Sequence, residues 1–104
     1  SLSVSEKAKY VELQALETGR NAWNSFVLNK EKIGFLEEQR AIQSEVVELL
    51  KTQKALGKGA AAGVIEAETQ LLKVDADLMA ARIEQTISAY RLLRSVGRLD
   101  LALF

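Results

Sequence analysis

Leu28, Phe35, Ile42, Leu49 and Leu56 recur at intervals of seven without a break. Past a glycine cluster, Val64, Ala67, Leu71, Val74, Leu78 and Ala81 step by three and four in alternation. An α-helix turns once in about 3.6 residues, so both patterns keep an apolar seam on one side of a helix. They predict an all-α fold, a long antiparallel helical hairpin of the coiled-coil kind. With the bend near Lys58, Leu49 is expected beside Ala67, Ile42 beside Val74 and Phe35 beside Ala81. Large residues of the first helix then meet small ones of the second, which supports that register.

Start and stop signals bound the two helices. Ser3-Val4-Ser5-Glu6 fits a capping box and predicts a helix beginning near residue 4. From Glu6 to Leu56 the only helix-weakening residues are Gly19 and Gly34. Each costs about 1 kcal/mol in a helix interior; each is either tolerated or lets a neighbouring backbone come close. Gly57 and Gly59 end the first helix, at about residue 56, because glycine accepts the left-handed conformation of a helix terminus. Ala60, Ala61 and Ala62 favour a second helix over about 60–96. Gly97, flanked by Arg94 and Arg98, reads as its C-terminus, with an apolar tail over 97–104 leaving the helix. The arms would measure about 75 Å and about 55 Å, and no proline interrupts either.

One partner cannot cover all the apolar surface. Ile65, Leu72 and Met79, with Ile83, Ile87 and Tyr90 beyond, form a second stripe on the second arm. Leu16, Trp23, Phe26, Ile33 and Val47 lie off the expected seam of the first. At about 25 cal/mol per Å² of apolar area, leaving these wet forfeits many kcal/mol. Each helix is therefore expected to pack on two neighbours, in a dimeric four-helix bundle or in a larger helical ring or tube.

Composition removes several function classes. Lys+Arg and Asp+Glu number 14 each, so no net field attracts nucleic acid or an anionic membrane. The chain has no cysteine and no histidine, which removes thiol chemistry, the commonest general base and the usual di-iron motifs. No nucleophile–base pair and no phosphate-binding loop is present. Glu66 and Glu68 are two apart and do not share a helix face. Glu84, Arg82, Asp75 and Asp77 read as solvated charges. The chain is read as a non-enzyme without catalytic, metal-binding or cofactor-binding residues. No apolar run approaches the roughly 20 residues of a membrane-spanning helix. The first residue is Ser1 rather than Met, so the 104 residues, one helical domain, are read as a piece of a longer protein.

Leu56-Gly57-Lys58, then Val64-Ile65-Glu66-Ala67-Glu68 and Leu71-Leu72, resemble the C-terminal periplasmic hairpin of TolC-like outer-membrane channels for efflux and type I secretion. Ala81-Arg82, Tyr90-Arg91-Leu92-Leu93 and Ser95-Val96-Gly97-Arg98-Leu99 are similar to its later positions, and Arg20-Asn21-Ala22-Trp23-Asn24 to a stretch of secretion-type members. The resemblance implies a segment of a trimeric α-helical barrel, a homotrimer in the full-length protein. Its partners would be a periplasmic adaptor (membrane fusion) protein and an inner-membrane pump. This segment would lie in the periplasm, below outer-membrane strands contributed by other parts of the protein.

The same resemblance marks candidate sites. Leu56, Gly57, Lys58 and Gly59 would form the tip that meets the adaptor; by physics alone they are a flexible turn. Glu66 would form an acidic ring at the periplasmic entrance, which favours cations; by itself it is a surface carboxylate. Where the family commonly carries a tyrosine and an arginine in its gate, this chain has Lys54 and Gly59, and Lys51, Lys54 and Lys58 make the tip basic. Trp23, Phe26 and Tyr90 read as packing residues of the wall. The competing readings are a soluble scaffold hairpin that dimerises into a four-helix bundle, and the hairpin of an adaptor protein.

Overall fold

In the computed structural model, which describes the backbone of residues 3–103 and the side chains of residues 3–101, the chain forms two helices. They are α1 (Val4–Ala55) and α2 (Ala61–Leu103), of 52 and 43 residues. No strand occurs among the described residues. The amide of Glu6 donates to Ser3 Oγ at 3.2 Å, so Ser3 caps α1. At the other end Lys58 N donates to Gln53 O at 2.9 Å and Gly57 N to Lys54 O at 3.0 Å. That pair of bonds is a Schellman motif, and it requires the left-handed residue found at Gly57, with φ of 75°.

The expected apolar tail is not a tail. α2 runs through Gly97 to Leu103; Phe104 lies outside the described residues. Gly97 costs a helix only about 1 kcal/mol, and no proline follows to stop the ladder. Leu99, Leu101 and Leu103 are good helix formers, so one glycine beside two arginines was too weak a stop signal.

Two compact units divide the chain: Glu31–Arg82, and Ser1–Lys30 with Ile83–Phe104. In Glu31–Arg82 the two helical stretches run antiparallel across the turn. Leu36, Leu78 and Ala81 cluster, with Ile33 packed against them. Farther toward the turn Gln43 Nε2 donates to the Ala67 carbonyl at 3.0 Å, and Lys51 Nζ lies 3.4 Å from Glu68 Oε1.

The seam of α2 is the expected one, with Val64, Ala67, Leu78 and Ala81 buried and Leu71 and Val74 half-buried. The seam of α1 is not. Phe35, Ile42 and Leu49 are 59, 61 and 58% exposed, whereas Leu36 is 8% and Val47 4% exposed. Leu28 and Leu56 are exposed as well. The buried and half-buried positions of α1 in this unit include Ile33, Leu36, Gln43, Val47 and Leu50. The expected side-by-side pairs, Phe35 with Ala81, Ile42 with Val74 and Leu49 with Ala67, stand at about the right height but on the wrong face.

The cause is visible in the residues between. A column at intervals of seven is half a seam; a coiled coil buries two columns, offset by three or four. Three residues after Leu28, Phe35 and Ile42 stand Glu31, Glu38 and Glu45. Burying that face would desolvate three carboxylates, which costs far more than one column of apolar side chains returns. Starting instead from Ile33, the three–four alternation gives Leu36, Arg40, Gln43, Val47 and Leu50. Its polar members reach across: Arg40 Nε bonds Asp75, and Gln43 bonds a main-chain oxygen.

The second unit pairs residues up to Lys30 with residues from Ile83. Its seam is built of small residues: Ala15, Ala22, Ser88 and Ser95 are buried, and Gly19 is half-buried. A Cβ at Gly19 would stand 3.4 Å from Ser95 Cβ, so this glycine brings two backbones close together. Gly34, by contrast, has nothing within 4 Å of its missing side chain. Phe26 joins the seam, half-buried, and stacks on Trp23 with ring centroids 6.0 Å apart and planes at 19°.

Candidate functional site

Three features of Glu31–Arg82 stand apart from simple packing: the turn and two apolar stripes. At the turn, Leu56, Gly57, Lys58 and Gly59 are all exposed. The Schellman hydrogen bonds hold them in one conformation against the last turn of α1, so the tip is a defined surface with Leu56 at its edge. Gly59 folds back over α1, where a Cβ would lie 3.4 Å from Lys54 N and 3.6 Å from Gln53 Cβ. The two positions where the resemblance expects gate residues, Lys54 and Gly59, are therefore neighbours in space.

The tip is less basic than three lysines suggest. Lys51, though exposed, is engaged by Glu68 at 3.4 Å and by Glu48 at 3.9 Å; Lys54 and Lys58 are exposed beside it. Glu66 is exposed. It sits two residues before Glu68, so it looks away from the flank on which Glu68 meets Lys51.

Reading residues one at a time missed the ion pairs between the helices. Arg40 pairs with Asp75, Glu37 with Arg82 at 3.3 Å, and Lys51 with Glu68. Asp75 and Arg82 are thus cross-helix partners rather than free solvated charges. All these groups are about half-exposed, so each pair contributes about 0–1 kcal/mol. Their larger consequence is orientation. Glu37, Lys51, Glu68 and Arg82 occupy the same flanking position of the heptad on their respective helices, so the pairs mark one flank of the unit. With the seam correctly placed on α1, the sequence spacing alone gives these partners.

The ion-pair flank locates the stripes. Ile65, Leu72 and Met79 each precede Glu68, Asp75 or Arg82 by three residues, and residues three apart share a helix face. They are 63, 69 and 66% exposed and lie on the outer side of α2 toward that flank. Met79 lines a groove with Arg40, Asp75 and Arg82, and Ile65 one with Lys51 and Glu68. On α1, Phe35, Ile42 and Leu49 each precede position 37, 44 or 51 by two residues, about 200° around the helix. They lie on the outer side of α1 toward the opposite flank. The unit therefore carries two apolar stripes facing away from each other, one on each helix.

Among the described residues, no helix is long and apolar enough to cross a membrane and no group of side chains is arranged to hold a metal ion. Compared with family models, with characterised proteins and with solved structures, the chain matches none.

Proposed function

We propose that this chain is a periplasmic tunnel-forming segment of an outer-membrane efflux or secretion channel: a passive export conduit, homotrimeric in the full-length protein, whose tip docks to a periplasmic adaptor beneath an inner-membrane pump. The observation that carries the reading is the pair of opposed apolar stripes. In the wall of a tube every helix pair has a neighbour on each side, so each stripe finds a partner. The exposed faces between the stripes, which carry Glu38, Glu45 and Glu66, are left for water inside or outside the wall. The ordered tip suits a contact made end-on, with Leu56 offering apolar surface and Gly57 and Gly59 letting a second backbone approach. Three copies of Glu66 would set an acidic ring above it.

The scaffold reading fits less well. A dimeric four-helix bundle buries one face that both helices of the hairpin share. Here the stripes of α1 and α2 face opposite ways, so such a dimer leaves at least one of them wet.

Export by the full-length protein tests the proposal. Gly57→Asp places a charged side chain at the tip, in the left-handed conformation that Asp tolerates better than most residues. The expected result is reduced export with the helicity of the purified variant unchanged. Undiminished export at normal protein level would contradict a docking role for the tip.

A further inference from the structure

The unit of Ser1–Lys30 with Ile83–Phe104 leaves a row of positive charge unanswered. Ile87, Arg91, Arg94, Arg98 and Leu101 follow one another on α2 by steps of four, three, four and three. That alternation keeps all five on one side of the helix. The three arginines are exposed, and among the described residues no carboxylate pairs with any of them. In Glu31–Arg82 the opposite holds: Arg40, Lys51 and Arg82 each meet a carboxylate of the other helix.

The arginine row runs beside α1. Arg98 and Leu101 line one groove with Val11, Gln14 and Ala15; Arg91 and Arg94 line the next with Ile87 and Tyr90. Thr18 and Asn21 follow Gln14 by four and seven residues, so they continue the face that Gln14 starts. Because Gly19 approaches Ser95 and Gln14 meets Arg98, Thr18 and Asn21 come level with the stretch from Arg91 to Arg98. The small-residue seam holds the two backbones close, so side chains of both helices reach one groove. Six of them, Gln14, Thr18, Asn21 and the three arginines, bring hydrogen-bond donors and no negative charge.

We propose that this groove binds an anion with several phosphoryl groups in a row, either a free oligophosphate or the phosphates displayed on a lipid surface. The arginines span about 10 Å of helix, more than one small anion can bridge and well suited to a row of them. A guanidinium fork matches two phosphoryl oxygens at a time, and the amide and hydroxyl donors of α1 serve the remaining oxygens. An acidic protein helix would need apolar contact along the middle of the row, where only arginines stand; Ile87 and Leu101 lie at its ends. A formal net charge of zero does not oppose this, since binding of a small anion follows the local field. The site is separate from the turn and from the apolar stripes of residues 31–82, and stands or falls independently of export.

Titration calorimetry of the purified chain with sodium tripolyphosphate tests the proposal, with circular dichroism to confirm that each variant stays helical. The expected result is saturable binding, weakened about tenfold or more by Arg91→Gln combined with Arg94→Gln. Lys54→Gln combined with Lys58→Gln removes the same charge from the turn and should weaken it by less than about twofold. Equal weakening by both pairs would mean unspecific attraction and overturn the proposal. So would tetraglutamate binding as tightly as tripolyphosphate. Should the arginine pair lose helicity, Arg98→Gln alone gives the same decision. Flotation with vesicles of phosphatidylcholine and phosphatidic acid distinguishes the sources. Vesicle binding that depends on the arginines identifies lipid phosphates, and tripolyphosphate binding without it identifies a free oligophosphate. A chain that binds neither probe would overturn the assignment.

Discussion

The two compact units of this chain hold their helices together by different means. Glu31–Arg82 packs branched apolar side chains, Leu36, Val47, Val64 and Leu78, and spans its seam with the ion pairs and the Gln43 hydrogen bond described above. Among the described residues of Ser1–Lys30 with Ile83–Phe104, the buried ones are alanine and serine, with Gly19, Phe26, Leu92 and Leu99 half-buried beside them. The first kind of seam removes much apolar area from water. The second removes little, and gains instead from close van der Waals contact between backbones. Ser95 satisfies its hydroxyl locally by donating to the Arg91 carbonyl at 2.9 Å, whereas the Ser88 hydroxyl is buried without a hydrogen-bond partner among the described residues. Unfolding free energy should therefore be concentrated in Glu31–Arg82, with the small-residue unit opening more readily.

Substitutions can break this contrast, and the largest effect belongs to the apolar seam. Leu78→Ala should cost about 2–5 kcal/mol, because Leu78 is buried in the cluster with Leu36 and Ala81. Chemical denaturation followed by circular dichroism measures it. A loss below that of an exposed leucine such as Leu72 would mean that the seam lies elsewhere.

Next come the glycines, which separate the units by sign. Gly19→Leu should cost about 1–3 kcal/mol, since the added atoms must push Ser95 away. Gly34→Ala should stabilise by about 1 kcal/mol, because its methyl group meets nothing and alanine is the better helix former. A melting temperature raised by Gly19→Leu would refute close approach there, and one lowered by Gly34→Ala would refute the open space at Gly34.

Smallest is the ion pair between Lys51 and Glu68. A double-mutant cycle with Lys51→Met and Glu68→Gln should return a coupling below about 1 kcal/mol, screened by salt. A coupling several times larger would place the pair away from water, at odds with its half-exposed position.

How far the chain could be read from its residues differs between the helices for a physical reason. α2 has one seam with the alternating three–four spacing, Val64 through Ala81, beside a single column of Ile65, Leu72 and Met79, and the glycine and alanine run before it; both its start and its seam follow from pattern. α1 has two competing columns. The one with the larger, more regular residues, Leu28 to Leu56, is flanked by Glu31, Glu38 and Glu45 and stays in water. What decides the outcome is the cost of the residues beside a column, which a search for apolar repeats does not weigh. The small-residue seam of Ala15, Gly19 and Ala22 has no hydrophobic signature, and only the facing Ser88 and Ser95 make sense of it. The tip was legible because left-handed geometry restricts residue choice so strongly. Its reduced basicity was not, because the partner of Lys51 lies on the other helix.

The claim on which the rest depends is that residues 31–82 present apolar surface on two opposed flanks and need a companion on each. Sedimentation equilibrium of the purified chain, of 11.5 kDa, tests it most directly. The account predicts association into species larger than a dimer as concentration rises, abolished by Ile42→Lys with helicity retained. A fully helical monomer at every concentration, or a dimer that never grows, would contradict it.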